Sequence, residues 1–123
     1  MKRDLDLIRD ILIKIADSDI PRLEARDFHD LCEDDNVLNF HFHLLVDAKY
    51  IEATNHQTIG TGLYYGDFVI SRITMQGFDY LDNIRDESIW KEVKAKIAAF
   101  SYSVSLSVIS NVAQQVMLSN LSM

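Results

Sequence analysis

The chain has 123 residues, 48% hydrophobic and 25% charged, a length and balance suited to one globular domain that buries roughly two-thirds of its unfolded surface. Nineteen acids against 12 bases leave a formal net charge of −7, and residues 1–35 alone hold 11 of the acids and 6 of the bases. A field of that sign repels phosphate backbones, so composition disfavours nucleic acid as a partner and suits either solubility or a basic protein surface.

The N-terminus, Met1-Lys2-Arg3-Asp4-Leu5-Asp6, is charged and then amphipathic, without the apolar run of a signal peptide. Leu5, Ile8, Leu12, Ile15 and Ala16 recur at helical spacing within residues 2–16, broadened by Leu7, Ile11 and Ile13, with Asp4, Arg9, Asp10 and Lys14 on a solvated face. Pro21 ends that pattern. Arg22-Leu23-Glu24-Ala25 alternates as a short strand does, and residues 27–33 suit a short helix. Asp34 or Asp35 is the N-cap expected for a longer helix reaching about Ala48. Its expected inward stripe is Val37, His41, Leu44, Leu45 and Ala48; its outward stripe is Asn36, Asn39, His43 and Asp47.

Residues 50–54 and 68–73 have strand composition, and the glycine-punctuated segment 60–66, containing Leu63, Tyr64 and Tyr65, reads as a flexible wing between them. Thr74 is expected to cap a helix with Phe78, Leu81 and Ile84 on one face. Asp86 opens another, with Ile89, Trp90, Val93, Ile97 and Phe100 apolar. From Ile97 to Met123 no side chain is charged, yet serines, Asn111, Gln114 and Gln115 interrupt the stretch too often for a membrane span. Tyr102, Val104, Leu106 and Val108 also alternate like a strand, but helix from about Ser105 is the favoured reading. Val108, Ile109, Val112, Val116 and Met117 form its candidate oligomer interface, the other use for such a helix being to complete its own core.

Two blocks suggest the fold: α+β, a winged helix-turn-helix-like domain with a small β-hairpin wing and additional C-terminal helices. His41-Phe42-His43-Leu44-Leu45-Val46-Asp47-Ala48-Lys49-Tyr50-Ile51 resembles the end of a winged-helix recognition helix, H-L-x-x-L-x-x-A-G-L-I. Arg72-Ile73-Thr74-Met75-Gln76-Gly77 resembles the L-T-x-x-G step that follows the wing. The chain as a whole is similar to a winged-helix family of phages and prophages classed as a domain of unknown function. The resemblance rests on an M-K-R-D-x-D-L-I-R start (Met1–Arg9) and Y-H-L-x-L-L at Phe40–Leu45. It rests also on R-L-T-x-x-G-x-D-F-L-D-x-I-R-D at Arg72–Asp86, on Trp90, and on S-V-S-L at residues 103–106. This chain departs from it at Lys49, where a helix-ending glycine is usual. It departs also in its tail, which has none of the usual basic residues. The resemblance implies a fold and a mobile-element setting, and no activity. On this reading residues 1–123 form a single domain, with a winged-helix core over 1–85 and a helical extension over 86–123.

No residue cluster argues for catalysis, a cofactor or a metal. His29, Cys32, His41 and His43 have no structural-zinc spacing, and His41 and His43 point to different helix faces. Gly60, Gly62 and Gly66 lie between strands, whereas a phosphate loop needs a helix after it. The acid clusters Asp4/Asp6, Glu33/Asp34/Asp35 and Asp86/Glu87 sit where helices begin and are read as caps. The lone Cys32 excludes an internal disulfide and suits a reducing cytoplasm.

On a winged helix Asn36, Asn39, His43 and Asp47 would face DNA, but residues 34–48 and 55–66 contain no Lys or Arg to hold the backbone. The favoured function is a non-enzymatic module that binds a protein through Asn36, Asn39 and His43 on the outward helix face, through the Leu63, Tyr64 and Tyr65 wing tip, or through the uncharged C-terminal helix. An inhibitor of a host defence protein, such as an anti-CRISPR, is one form of it. The alternative is a DNA-binding transcriptional regulator, homodimeric through its C-terminal helix.

Overall fold

Among the residues described by this computed structural model, 1–57, 59–99 and 104–121, the elements in chain order begin with α1 (Leu5–Asp17), a 3₁₀ turn (Ala25–Phe28) and α2 (Asp35–Asp47). There follow β1 (Ile51–Asn55), β2 (Phe68–Ile73), α3 (Met75–Ile84), α4 (Glu87–Ile97) and α5 (Leu106–Leu121). The class is α+β, and helices with one antiparallel hairpin in this order are compatible with a winged helix. Two compact units divide the chain, Met1–Phe78 and Asp79–Met123, with the division inside α3.

In the first unit both helices start on an aspartate. Asp4 accepts a 3.0 Å hydrogen bond from the Leu7 N–H, and Asp34 accepts from the N–H groups of Asn36 and Val37. α1 buries Leu7, Ile8, Ile11, Leu12 and Ile15. α2 buries Leu38, Asn39, His41, Phe42 and Leu45. This corrects the expected stripe, since Val37, Leu44 and Ala48 are only half-buried while Leu38 and Phe42 are fully enclosed. The rotation follows from the Phe42 ring, which packs edge-on against Phe28 of the 3₁₀ turn at 5.0 Å between centroids. His41 is buried as expected. Its Nδ1–H donates to the Val37 carbonyl at 2.8 Å, and its Nε2 accepts from the Asp4 N–H at 2.9 Å. The donor at Asp4 is a backbone amide, so the ring is the neutral Nδ1–H tautomer.

α2 ends in a Schellman arrangement. The Tyr50 N–H bonds the Leu45 carbonyl, the Lys49 N–H bonds that of Val46, and Lys49 takes a φ of 64°. Lysine therefore occupies the left-handed position itself. β1 and β2 pair antiparallel from Ile51↔Ile73 to Asn55↔Phe68, with a bulge at Glu52/Ala53. The expected strand over 22–25 contracts to one bridge, Leu23 to Ile70, closed by two backbone hydrogen bonds.

In the second unit Asp86 caps α4 through the Ile89 N–H, and Ser105 caps α5 through that of Val108. α4 and α5 pack on one another, burying Ile89, Trp90 and Val93 on one helix and Ile109, Ala113 and Val116 on the other. The Asn83 amide donates to the Ser110 hydroxyl. Phe100, Tyr102 and Ser103, singled out in the sequence, lie outside the described residues. No helix among the described residues is long and apolar enough to cross a membrane.

Candidate functional site

The candidate contact residues meet where α2 lies against the loop joining β1 to β2. Three features shape that loop. The Asn55 carboxamide oxygen accepts from the N–H groups of Gln57 and Asp67, closing its base as an Asx-type turn does. The Gln57 side-chain amide donates to the Leu63 carbonyl at 2.9 Å. Gly60, Gly62 and Gly66 all have positive φ, and a Cβ on Gly66 would come within 2.9 Å of Asn55 and Phe68.

Two asparagines of α2 fasten the loop and the start of β2 to the helix. The Asn36 amide donates to the Gly62 carbonyl at 3.2 Å and accepts from the Tyr64 N–H at 2.9 Å. One turn on, Asn39 donates to the Asp35 carbonyl and accepts from the Phe68 N–H, both at 2.9 Å. Tyr65 stacks edge-on against Phe40, with centroids 5.1 Å apart. Helix and loop thus form one braced ridge.

The expected outward stripe needs correction at Asn39, which is 0% exposed. The first N–H of β2 needs an acceptor, and Asn39 Oδ1 supplies it from inside the fold. Asn36 is half-buried, with both amide atoms engaged. His43 and Asp47 are exposed as expected, 3.5 Å apart. Tyr64 projects furthest of the named loop residues, at 78% exposure, while Leu63 and Tyr65 are half-buried. Asn55, Gln57 and Phe40 are not singled out by the sequence, although an asparagine before a glycine-rich stretch is a turn signal.

The neighbouring segment is acidic. Glu24, Asp27, Asp30, Glu33, Asp34 and Asp35 fall within twelve residues that contain a single basic one, Arg26. Arg26 pairs with Glu24, Lys14 with Asp30 and His29 with Asp35, the last at 2.6 Å. The Lys14 ammonium, hydrogen-bonded to Asp30, holds that carboxyl below its ordinary range. Asp27, Glu33 and Asp34 have no ion-pair partner among the described residues. His29 is committed to Asp35 and the Cys32 thiol faces the Asp34 carbonyl; among the described residues no three His, Cys, Asp or Glu side chains converge as a metal site would require.

The proposed oligomer residues of α5 are divided by the packing. Ile109 and Val116 are enclosed within the second unit, Val112 and Met117 are half-buried, and Val108 is exposed. The burial of Ile109 and Val116, on a helix that packs against α4, leaves Val108 as the exposed one of the five.

Two comparisons place the chain. An uncharacterized protein of Haemophilus influenzae is 32% identical over 116 residues, covering 94% of this chain and 95% of that protein. No solved structure matches. Residues 2–103 match the family described as "Hypothetical protein (DUF2513)", and the chain belongs to that family.

Proposed function

We propose that this protein is a non-catalytic, acidic winged-helix module that binds another protein through the α2–loop ridge and does not read DNA. The observation that carries the reading is the engagement of the two asparagines. In a winged helix the outward side chains of the recognition helix enter the major groove, where an asparagine reads adenine with both amide atoms. Here Asn36 gives both to the loop backbone, and Asn39 is buried with both satisfied. Phosphate contacts hold a reader in register, and neither α2 nor the loop carries a Lys or Arg.

The same ridge suits a protein partner. Tyr64 offers a large contact surface with few rotors to freeze, on a loop braced before binding. The acids of residues 24–35 favour a basic surface opposite. In the phage or prophage setting that the sequence resemblance implies, such a partner is a host defence protein whose nucleic-acid groove the module covers.

Size-exclusion chromatography with light scattering tests this on the full chain, with and without promoter-length duplex DNA, at about 150 mM salt where screening is physiological. The expected result is no DNA-dependent shift, together with a co-purifying basic protein that Tyr64→Ala loses. A DNA-dependent shift abolished by His43→Ala overturns the reading in favour of the regulator.

A further inference from the structure

A second surface of the first unit has no part in the ridge. The end of α1, the segment after it and β2 enclose an open groove of about 270 Å³, large enough for one bulky side chain. Its apolar lining includes Leu23, Ile70 and Ile73, which belong to the core. Two further lining residues stand out into solvent, Ile20 at 61% exposure and Phe78 at 39%. Met75, one turn before Phe78 on α3, is also exposed. Exposed apolar side chains that share one depression, here Ile20 and Phe78 beside the polar groups of Ser18, Asp19 and Ser71, mark an interaction site more than single scattered ones do.

The rim charges select the occupant. Arg72 lines the groove, but its Nε and Nη2 donate to the Glu52 carboxylate at 3.0 and 2.7 Å, so its charge is already paired. Asp19 is exposed, with no ion-pair partner among the described residues. The first unit as a whole carries 14 acids against 8 bases. An acidic occupant is therefore repelled, and a second copy of this chain would bring more acid than base to the same place.

We propose that this groove docks a short amphipathic segment of a partner protein, seating one large apolar side chain between Ile20 and Phe78 with a Lys or Arg of the segment over Asp19. Recognition has two parts. Apolar burial against Ile20, Phe78 and the floor supplies affinity, and the carboxylate supplies a preference for cationic segments.

The test uses full-length protein labelled at isoleucine methyl groups, titrated with a short Leu/Lys amphipathic peptide and with its Leu/Glu counterpart. Ile20, Ile70 and Ile73 report on the groove, and the fully exposed Ile59 serves as the control for indiscriminate stickiness. The expected result is saturable shifts at Ile20, Ile70 and Ile73 with the Lys peptide, none at Ile59, and weaker binding of the Glu peptide. Asp19→Lys should weaken the Lys peptide about two- to fivefold, the range of an exposed ion pair, and strengthen the Glu peptide. Ile20→Ser should weaken both about five- to tenfold, while methyl dispersion elsewhere shows an unchanged fold. Equal affinity for both peptides, shifts at Ile59 matching those at Ile20, or no shifts at all overturn the proposal. So does a concentration-dependent change at Ile20 without peptide, which assigns the groove to a second copy. A nuclear Overhauser contact from the chain's own C-terminal residues to Ile20 assigns it to the protein itself and overturns the proposal as well.

Discussion

The Thr74 hydroxyl donates a 2.6 Å hydrogen bond to the Lys49 carbonyl, tying the start of α3 to the end of α2 across 25 residues of sequence. The same oxygen accepts from the Gly77 N–H at 3.1 Å, and the Thr74 N–H donates to the Tyr50 carbonyl. One threonine thus caps one helix and satisfies the end of another. The two sequence blocks that first suggested the fold meet at this junction.

Gly77 is where the junction closes tightly. A Cβ there would lie 2.2 Å from the Tyr50 carbonyl oxygen and 2.7 Å from an Ile73 side-chain carbon, inside any tolerable contact. Backbone cannot swing aside as a flexible side chain can. Gly77→Ala is expected to destabilise the chain by about 1–3 kcal/mol, as overpacking does, measured as a lower denaturant midpoint. An unchanged midpoint would mean that α3 starts elsewhere.

Lys49 sits at φ 64°, where a side chain is strained and glycine is not. Lys49→Gly should raise stability by up to about 1 kcal/mol, the left-handed strain less the extra freedom of an unfolded glycine. Thermal unfolding decides the sign, and a clear loss of stability would show that the lysine side chain has a role of its own.

The two asparagines of α2 separate by burial. Asn39→Ala strands the buried Phe68 N–H and should lower stability by about 1–3 kcal/mol. Asn36→Ala should lower it by less than about 1 kcal/mol, because water reaches the groups it leaves. Its signature is local instead: faster hydrogen exchange at Tyr64, with β2 amides unchanged. Equal global effects for the two variants would contradict the bracing of the loop.

For α5 the packing gives the residue to choose. Ile109→Ala, fully enclosed, should remove about 2–5 kcal/mol, whereas Leu118→Asp on the exposed side should leave stability within about 0.5 kcal/mol. A folded protein of lower mass for the Ile109 variant, by light scattering, would return that residue to an oligomer interface.

The Glu52–Arg72 pair gives a pH dependence. Hydrogen bonds and charge from Arg72 hold the Glu52 carboxyl below its ordinary value of 4.5, so the folded state favours its ionised form. The stabilisation is complete above that ordinary value and drains away as pH falls through the lower folded value. Glu52→Gln should therefore melt lower than the parent at neutral pH, and the gap should close in acid. A gap that persists in strong acid would assign the effect to packing instead of charge.

Much of the local structure was legible because it depends on neighbours in sequence. Asp34, Thr74, Asp86 and Ser105 cap the helices they precede, since a short polar side chain reaches the next N–H groups wherever the chain lies. Strand pairs and loop glycines were legible for the same reason. Asn39 reads as exposed from its polarity alone, whereas its acceptor role is set by the Phe68 N–H, 29 residues away. The α2 stripe shifted because Phe28 and Phe42 pack ring against ring, a contact no periodicity encodes.

Composition and spacing by themselves determined an acidic α+β chain, its helix starts and an α2 and loop without positive charge. Only the tertiary structure decided that the Asn36 amide serves the loop and the Asn39 amide the first N–H of β2, that Ile109 and Val116 are buried, and that Ile20 and Phe78 border one groove. The physical reason is common to all three. A hydrogen-bond partner, a packing partner or a shared cavity is supplied by chain distant in sequence, so the same side chain reads alike whether it is free for a ligand or already bound within the fold.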